Sequence, residues 1–116
     1  MPWQKKRTPY KVWISEIMLQ QTQVSTATPY FKRFIKEFPN VKKLAETNLD
    51  HVLSHWSGLG YYARARNIYE AAKIISSKHK GKVPNSLEEL ISLPGIGKST
   101  AGAILALGYK KKAAIL

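Results

Sequence analysis

Apolar residues recur three and four positions apart along most of the chain, which is the period of an amphipathic α-helix. No segment of useful length alternates apolar and polar residues, as a half-buried strand would. The pattern therefore predicts an all-α fold. The predicted helices cover approximately residues 10–24, 29–38, 41–46, 49–56, 62–79, 87–93 and 98–107.

The balance of charge indicates a polyanionic partner. The 116 residues include 19 Lys and Arg but only 7 Asp and Glu, which gives a formal net charge of +12. Such a basic chain favours nucleic acid or an anionic membrane surface, unless its lysines merely solvate the surface. The longest apolar stretch is far shorter than the roughly 20 residues of a membrane span, and no signal peptide is apparent. We predict a single helical domain over 1–116, intracellular, monomeric and bound to nucleic acid rather than to a membrane.

Metal and redox chemistry have few candidate residues. The sequence contains no cysteine, which excludes disulfides, thiolate metal ligands and cysteine nucleophiles within these 116 residues. His51 and His55 stand four positions apart on one predicted helix, a spacing that occurs in metal sites. The sequence nearby shows no third ligand. We therefore interpret both as surface histidines and predict no metal site.

A tight turn with two glycines separates the last two predicted helices. Gly95 and Gly97 allow positive φ angles and the close approach of another backbone. The free amides at the start of the next helix, together with Lys98, Ser99 and Thr100, can bind a phosphate oxygen. These features predict a helix-hairpin-helix motif over about 86–108, which contacts the DNA backbone rather than the base sequence. The alternative is an ordinary pair of helices with a glycine turn.

One carboxylate lies within the most apolar predicted helix. Glu16 has apolar neighbours three and four positions away, so burial should raise its pKa and suit it to act as a general acid. Gln20, Gln21 and Thr22 follow, and amide side chains can hydrogen-bond base edges or take the place of an extruded base. The alternatives are a structural glutamate and an ordinary polar helix end.

Two glycines frame an apolar residue between the fourth and fifth predicted helices. Leu59, next to Gly60, is expected to project outward as a wedge that unstacks base pairs from the minor groove. Tyr61 would stack on a base, and Arg64 would meet a phosphate. The alternative is a helix end with the leucine and tyrosine in the core and the arginine on a solvated face.

Three segments together resemble one family. Thr8–Val24, Gly58–Asn67 and Leu93–Leu105 are similar to the N-terminal part of MutY-type adenine DNA glycosylases, in the endonuclease III-like superfamily. The resemblance implies the helical-barrel domain of that fold. It also implies base excision repair of double-stranded DNA, by removal of adenine mispaired with oxoguanine or guanine.

The same resemblance assigns roles to individual residues. It implies that Glu16 is the catalytic acid that protonates the adenine. It further implies that Gln21, Thr22, Leu59 and Tyr61 enter the double helix around the mismatch.

The hairpin of this family differs between subfamilies at one position. Relatives with lyase activity carry a Schiff-base lysine immediately after the residue matched by Lys98, and this chain has Ser99 there. The resemblance therefore implies a monofunctional glycosylase. It also implies that the hairpin, Gly95–Thr100, binds a phosphate, and that hairpin carbonyls bind a monovalent cation.

Two parts of the family pattern are expected beyond Leu116. One is a second catalytic carboxylate, an Asp just after the hairpin helix; the chain's single aspartate is Asp50, at a predicted helix start. The other comprises the cysteines of a [4Fe-4S] cluster and a C-terminal domain. We therefore expect a fragment that binds no cofactor by itself and is nearly inactive alone. The other functions considered are a non-catalytic helix-hairpin-helix DNA-binding module and an endonuclease III-like lyase.

Overall fold

The computed structural model describes residues 8–20 and 22–109. These residues form seven α-helices and one π-helical turn, and no strand occurs among them, which confirms the predicted all-α fold. The elements are α1 (Pro9–Leu19), α2 (Val24–Glu37), α3 (Val41–Glu46), α4 (Leu49–Ser54), α5 (Ala63–Lys78), α6 (Leu87–Ile91), α7 (Lys98–Ala103) and the π-helical turn Ile104–Gly108.

Helix α1 lies at the centre of the fold. It begins after Thr8, whose hydroxyl accepts a hydrogen bond from the Lys11 amide. Seven of its 11 residues are buried, so the helix is apolar on most sides and packs against α2, α5, α7 and the π-helical turn. A buried hydrogen bond of 2.6 Å from the Tyr10 hydroxyl to the Phe38 carbonyl joins its first turn to the end of α2.

The boundary between α1 and α2 differs from the prediction. Helix α1 ends at Leu19, and α2 already begins at Val24, so that Pro29 lies inside α2 rather than at its start. The proline is on the exposed side of the helix, whereas Ala27 is fully buried and packs the first turns of α2 against the core. Tertiary packing thus overrides the preference of proline for the first helical position.

Side chains cap the starts of three short helices. Asn40, Asn48 and Ser86 each accept a hydrogen bond from the backbone amide three residues later, at 2.9, 2.8 and 3.2 Å. Ser86 followed by Glu89 three residues later is a sequence pattern typical of a helix start, and the observed cap agrees with it. Helix α7 is different, because Gly97 precedes it and no side chain caps it.

The chain after α7 forms a π-helical turn instead of the predicted continuation to residue 107. The Tyr109 amide donates to the Ile104 carbonyl, five residues back, at 3.1 Å. Gly108 packs directly on α1, because a Cβ there would lie 2.7 Å from the Cα of Pro9. This contact with α1 accompanies the wider turn, which apolar spacing alone does not predict. None of the described helices is long and apolar enough to cross a membrane.

Candidate active site and nucleic-acid interface

Glu16 is a half-buried carboxylate on the central helix α1. Desolvation by burial raises its pKa, as the apolar neighbours in the sequence predict. Over residues 8–20 and 22–109 no cation forms an ion pair with it that would oppose this effect. The carboxyl therefore keeps its proton at a higher pH than an exposed glutamate does, which is a property of a general acid.

The C-terminal end of α1 is bound by a side chain from α5. The Arg64 guanidinium donates, over distances of 2.5–3.4 Å, to oxygens of Ile17, Met18, Gln20, Thr22 and Gly60. The last carbonyls of a helix lack intrahelical partners and carry partial negative charge, so they attract the cation. In this structure Arg64 positions the end of α1, and its predicted contact with a phosphate stays a prediction.

Two polar residues after α1, Gln20 and Thr22, make contacts with α5 and the hairpin. The Gln20 side-chain amide donates to the Thr100 hydroxyl at 3.4 Å, which links the end of α1 to α7. Thr22 is half-buried, and its hydroxyl accepts a hydrogen bond from Arg64. Gln21 lies outside the described residues, so its role in reading the mismatch stays a prediction.

The segment framed by Gly58 and Gly60 exposes a different residue from the predicted one. Leu59 is 7% exposed and belongs to the core, so its outward projection as a wedge is not what the structure shows. Positive φ angles of 92° and 84° at the two glycines accompany this inward placement of the leucine. Tyr61 is 60% exposed and has a φ of 53°, which few non-glycine residues adopt. Tyr61 is therefore available to a base, and it is more exposed than the adjacent Tyr62, at 42%.

The hairpin consists of α6, α7 and the turn between them, at the predicted place. Gly95 has a φ of 78°, and a Cβ at this position would lie 2.8 Å from the Cβ of Asn67 on α5. Both facts require glycine there. Gly97 has an ordinary φ of −95° and open space around it, so the positive φ expected at both glycines occurs at the first alone. Without a side-chain cap, the first amides of α7 are free to bind an anion.

Three predicted binding residues begin α7, and the structure divides their roles. Lys98 and Ser99 are exposed and thus accessible to a phosphate. Thr100 is buried, and its hydroxyl accepts the hydrogen bond from Gln20. The expectation of a direct phosphate contact therefore fits the first two residues better than the third.

A hollow lies between α1, α5 and the turn of the hairpin. Its lining includes Trp13, Ile17, Gln20, Arg64, Asn67 and Gly95. Glu16 lies three residues after Trp13 and four before Gln20, on the same side of α1. Among the described residues, two buried nitrogens lack a hydrogen-bond partner, Trp13 Nε1 and Arg64 Nε. Both belong to residues that line this hollow.

Asn67 on α5 is a site residue with no role predicted from the sequence. Its position three residues after Arg64 places both on one side of α5, and this spacing is the signal that could have found it. Asn67 contacts the hairpin through the close approach of Gly95. It therefore helps to set the position of the hairpin relative to α5.

Two cofactors were considered for this chain. The absence of cysteine leaves an iron–sulfur cluster without a thiolate ligand in these 116 residues. The monovalent cation implied at the hairpin stays a prediction. The Leu93 carbonyl, an oxygen of the turn, accepts a hydrogen bond from the Ile96 amide at 3.2 Å.

Comparison with known families identifies the class of protein that this fold and site define. The profile of the HhH-GPD superfamily of base excision DNA repair proteins matches residues 14–115, and the chain belongs to this superfamily. Its relatives include adenine DNA glycosylases. It is 61% identical over its full length to that of Buchnera aphidicola subsp. Baizongia pistaciae, of which it covers 33%. It is 42% identical to that of Rattus norvegicus, and this match covers 94% of the chain and 23% of the relative. The chain thus spans about a third or less of the length of these curated relatives.

Solved structures have the same helical fold. A thermostable thymine-DNA glycosylase superposes with a TM-score of 0.89 at 26% identity, over 97% of this chain and 52% of that one. A trapped endonuclease III–DNA covalent intermediate superposes with a TM-score of 0.83 at 24% identity, over 90% of this chain and 50% of that one. These matches confirm the predicted endonuclease III-like fold.

Proposed function

We propose that this chain supplies the acid carboxylate and part of the DNA-binding surface of an adenine DNA glycosylase. The observation that carries the proposal is the placement of Glu16. This half-buried carboxyl with a raised pKa lies on the side of α1 from which Gln20 reaches the hairpin residue Thr100. The 61% identity to an adenine DNA glycosylase supports the choice of base.

The proposed reaction is hydrolysis of the bond between adenine and its sugar in double-stranded DNA. An adenine mispaired with oxoguanine or guanine leaves the base stack, as enzymes acting on bases within a duplex require. Glu16 transfers its proton to the base, and the electron pair of the bond to the sugar departs with the adenine. Water then adds to the oxocarbenium-like sugar. The raised pKa of Glu16 leaves a larger fraction of this carboxyl in the acid form than an exposed glutamate has at the same pH.

The DNA contacts are assigned according to exposure. We assign stacking on a base to the exposed Tyr61, and polar contacts near the mismatch to Gln20 and Thr22. Gln21, outside the described residues, is assigned to the mismatch from the family resemblance alone. Arg64 acts on this surface indirectly, because it binds the backbone of both segments. Leu59 would have to leave the core to enter the duplex, so we give it no direct contact.

The hairpin is assigned to the DNA backbone. The uncapped amides at the start of α7, with the exposed Lys98 and Ser99, suit a phosphate oxygen. Ser99 has no amine that could form a Schiff base, and Lys98 is about 100° away around the helix. We therefore propose a monofunctional glycosylase, in which borohydride traps no covalent DNA complex.

A second carboxylate is expected to stabilise the oxocarbenium-like sugar, and the family pattern places it beyond Leu116. Loss of such electrostatic support typically lowers a rate by about 10² or more. We therefore expect the 116-residue chain to bind double-stranded DNA but to release adenine very slowly.

A chimaera tests this proposal. The chain is joined to the downstream two thirds of the 61% identical relative, and adenine release from an A·oxoguanine duplex is measured by strand cleavage in alkali. We expect release by the chimaera, and a rate about 10²–10⁴-fold lower after Glu16→Gln, because the general acid is removed. DNA affinity, measured by fluorescence anisotropy, should be unchanged. Equal rates for the two proteins would instead support a non-catalytic DNA-binding module.

Glu16 should also make the stability of the chain depend on pH. Because its pKa is raised in the folded state, the folded state binds the proton more tightly than the unfolded state does. Stability therefore falls as pH rises from the ordinary glutamate pKa of about 4.3 through the raised value. We expect Glu16→Gln to increase Tm at neutral pH, with the gain disappearing below about pH 4. A gain that persists in acid would show a cause other than ionisation.

A further inference from the structure

A second cluster of chemically active side chains lies between the end of α2 and helix α4. Glu37, His51 and His55 each offer one ligand atom, and the three atoms lie within 4.8 Å of one another. His51 Nε2 is 2.9 Å from Glu37 Oε2. None of the three lines the hollow beside α1. The third ligand that the sequence did not reveal is therefore Glu37, which the fold brings to the two histidines.

The backbone beneath the cluster is fixed on both sides. The helix α2 ends at Glu37, before Pro39, and the next carbonyl, that of Phe38, accepts the buried hydrogen bond from Tyr10. On the other side, the Thr47 carbonyl accepts a hydrogen bond of 2.8 Å from the Tyr69 hydroxyl. Ligands on such a fixed backbone lose little freedom on binding.

The two imidazole rings are also oriented by their neighbours. The Phe38 ring packs against both imidazoles in a T-shaped arrangement. Its centroid lies 5.0 Å from that of His51 and 5.3 Å from that of His55. The Thr47 hydroxyl lies 2.6 Å from Nδ1 of His51, which leaves Nε2 as the nitrogen on the side of Glu37. A hydrogen bond to one ring nitrogen, with the other directed at the ligand site, is typical of metal-binding histidines.

We propose that Glu37, His51 and His55 bind a divalent transition metal ion of the zinc type. Two imidazoles and one carboxylate are preferred zinc ligands, and bonds of about 2.0–2.2 Å set the ligand atoms of a tetrahedral site about 3.4 Å apart. The Glu37 and His51 atoms, 2.9 Å apart, would therefore separate slightly around an ion. The Glu37 side chain is 45% exposed and free to make this small adjustment. The bound ion joins the end of α2 to α4 and so stabilises the folded chain, independently of the proposed glycosylase function.

Charged neighbours lower the affinity of the site for a cation. Lys36 and Lys43 line the same shallow hollow as Glu37 and His51, and they oppose the approach of a cation. Glu46 also lines this hollow and offsets one of the two positive charges. The site therefore suits an ion bound through coordinate bonds to the three side chains rather than one attracted by a net negative charge.

Zinc titration of the 116-residue chain tests the proposal. Calorimetry with ZnCl2 should show one ion per chain, and Zn²⁺ should raise Tm. His51→Ala, His55→Ala and Glu37→Gln should each weaken binding by at least about tenfold, since changes around a metal site typically cost about 10–100-fold. His79→Ala is the matched control, because this histidine lies beside Glu89, outside the cluster, and its loss should leave binding unchanged.

The outcomes that overturn the proposal are distinct. They are an absence of zinc binding by the unaltered chain, equal weakening by His79→Ala, or unchanged affinity after Glu37→Gln. Circular dichroism checks that each variant is folded, and should His51→Ala unfold, His55→Ala and Glu37→Gln decide the question. DNA binding and adenine release are not readouts here, so failure of the zinc site leaves the glycosylase proposal standing.

Discussion

The two pairs of short helices in this fold, α3 with α4 and α6 with α7, begin in different ways. Asn40 and Asn48 cap α3 and α4 with their side chains, and Ser86 caps α6. Helix α7 alone among these four begins at a glycine with no side-chain cap. The first amides of α3, α4 and α6 are thus partly occupied, whereas those of α7 remain open to an anion.

We propose that the difference separates three helices whose caps serve stability from one helix whose open amides serve binding. A side-chain cap contributes about 1 kcal/mol to stability, and omitting it leaves amides that can donate to a phosphate. The turn before α7 is instead fixed by Gly95, whose backbone packs against Asn67. The hairpin thus gains its position from tertiary contact rather than from a local cap.

The largest loss of stability is expected from Gly95→Ala. Alanine is strained at a φ of 78°, and its Cβ would lie 2.8 Å from that of Asn67. We expect a loss of about 2–4 kcal/mol in the free energy of unfolding, measured with urea. Gly97→Ala is the matched control, with an ordinary φ and open space, and should cost less than about 1 kcal/mol. Equal losses would contradict the account of the turn.

A smaller loss of stability is expected from Asn40→Ala. This change removes the cap of α3, in which the Asn40 side chain accepts from the Lys43 amide at 2.9 Å. Stability should fall by about 1 kcal/mol, and DNA affinity should not change. A matching loss of DNA affinity in anisotropy measurements would show that α3 belongs to the binding surface.

The smallest change in stability is expected from Gly97→Ser, which gives α7 the cap that it lacks. Serine exceeds glycine at this position by only a few tenths of a kcal/mol. The new hydroxyl would compete with phosphate for the first amides, so DNA affinity should fall about fivefold, equivalent to about 1 kcal/mol. Stronger DNA binding by this variant would contradict the assignment of α7 to the phosphate.

Features set by neighbours along the chain were predictable from the sequence. The hairpin residues, the Ser86 cap and the raised pKa of Glu16 all follow from local patterns, and each occurs in the structure. The inward Leu59 and the role of Arg64 did not follow. A leucine between two glycines can point toward the core or toward solvent, and an arginine can bind a phosphate or backbone carbonyls. Contacts with residues distant in the sequence determine which of these occurs.

The sequence by itself determined the helical class, the superfamily and the carboxyl whose pKa is raised, Glu16, because periodicity and short motifs depend on residues close in the chain. The tertiary structure decided where α1 ends, that Leu59 lies in the core while Tyr61 is exposed, and that Glu37 meets His51 and His55. Each of these depends on partners from separate helices. Their proximity arises only when the core packs.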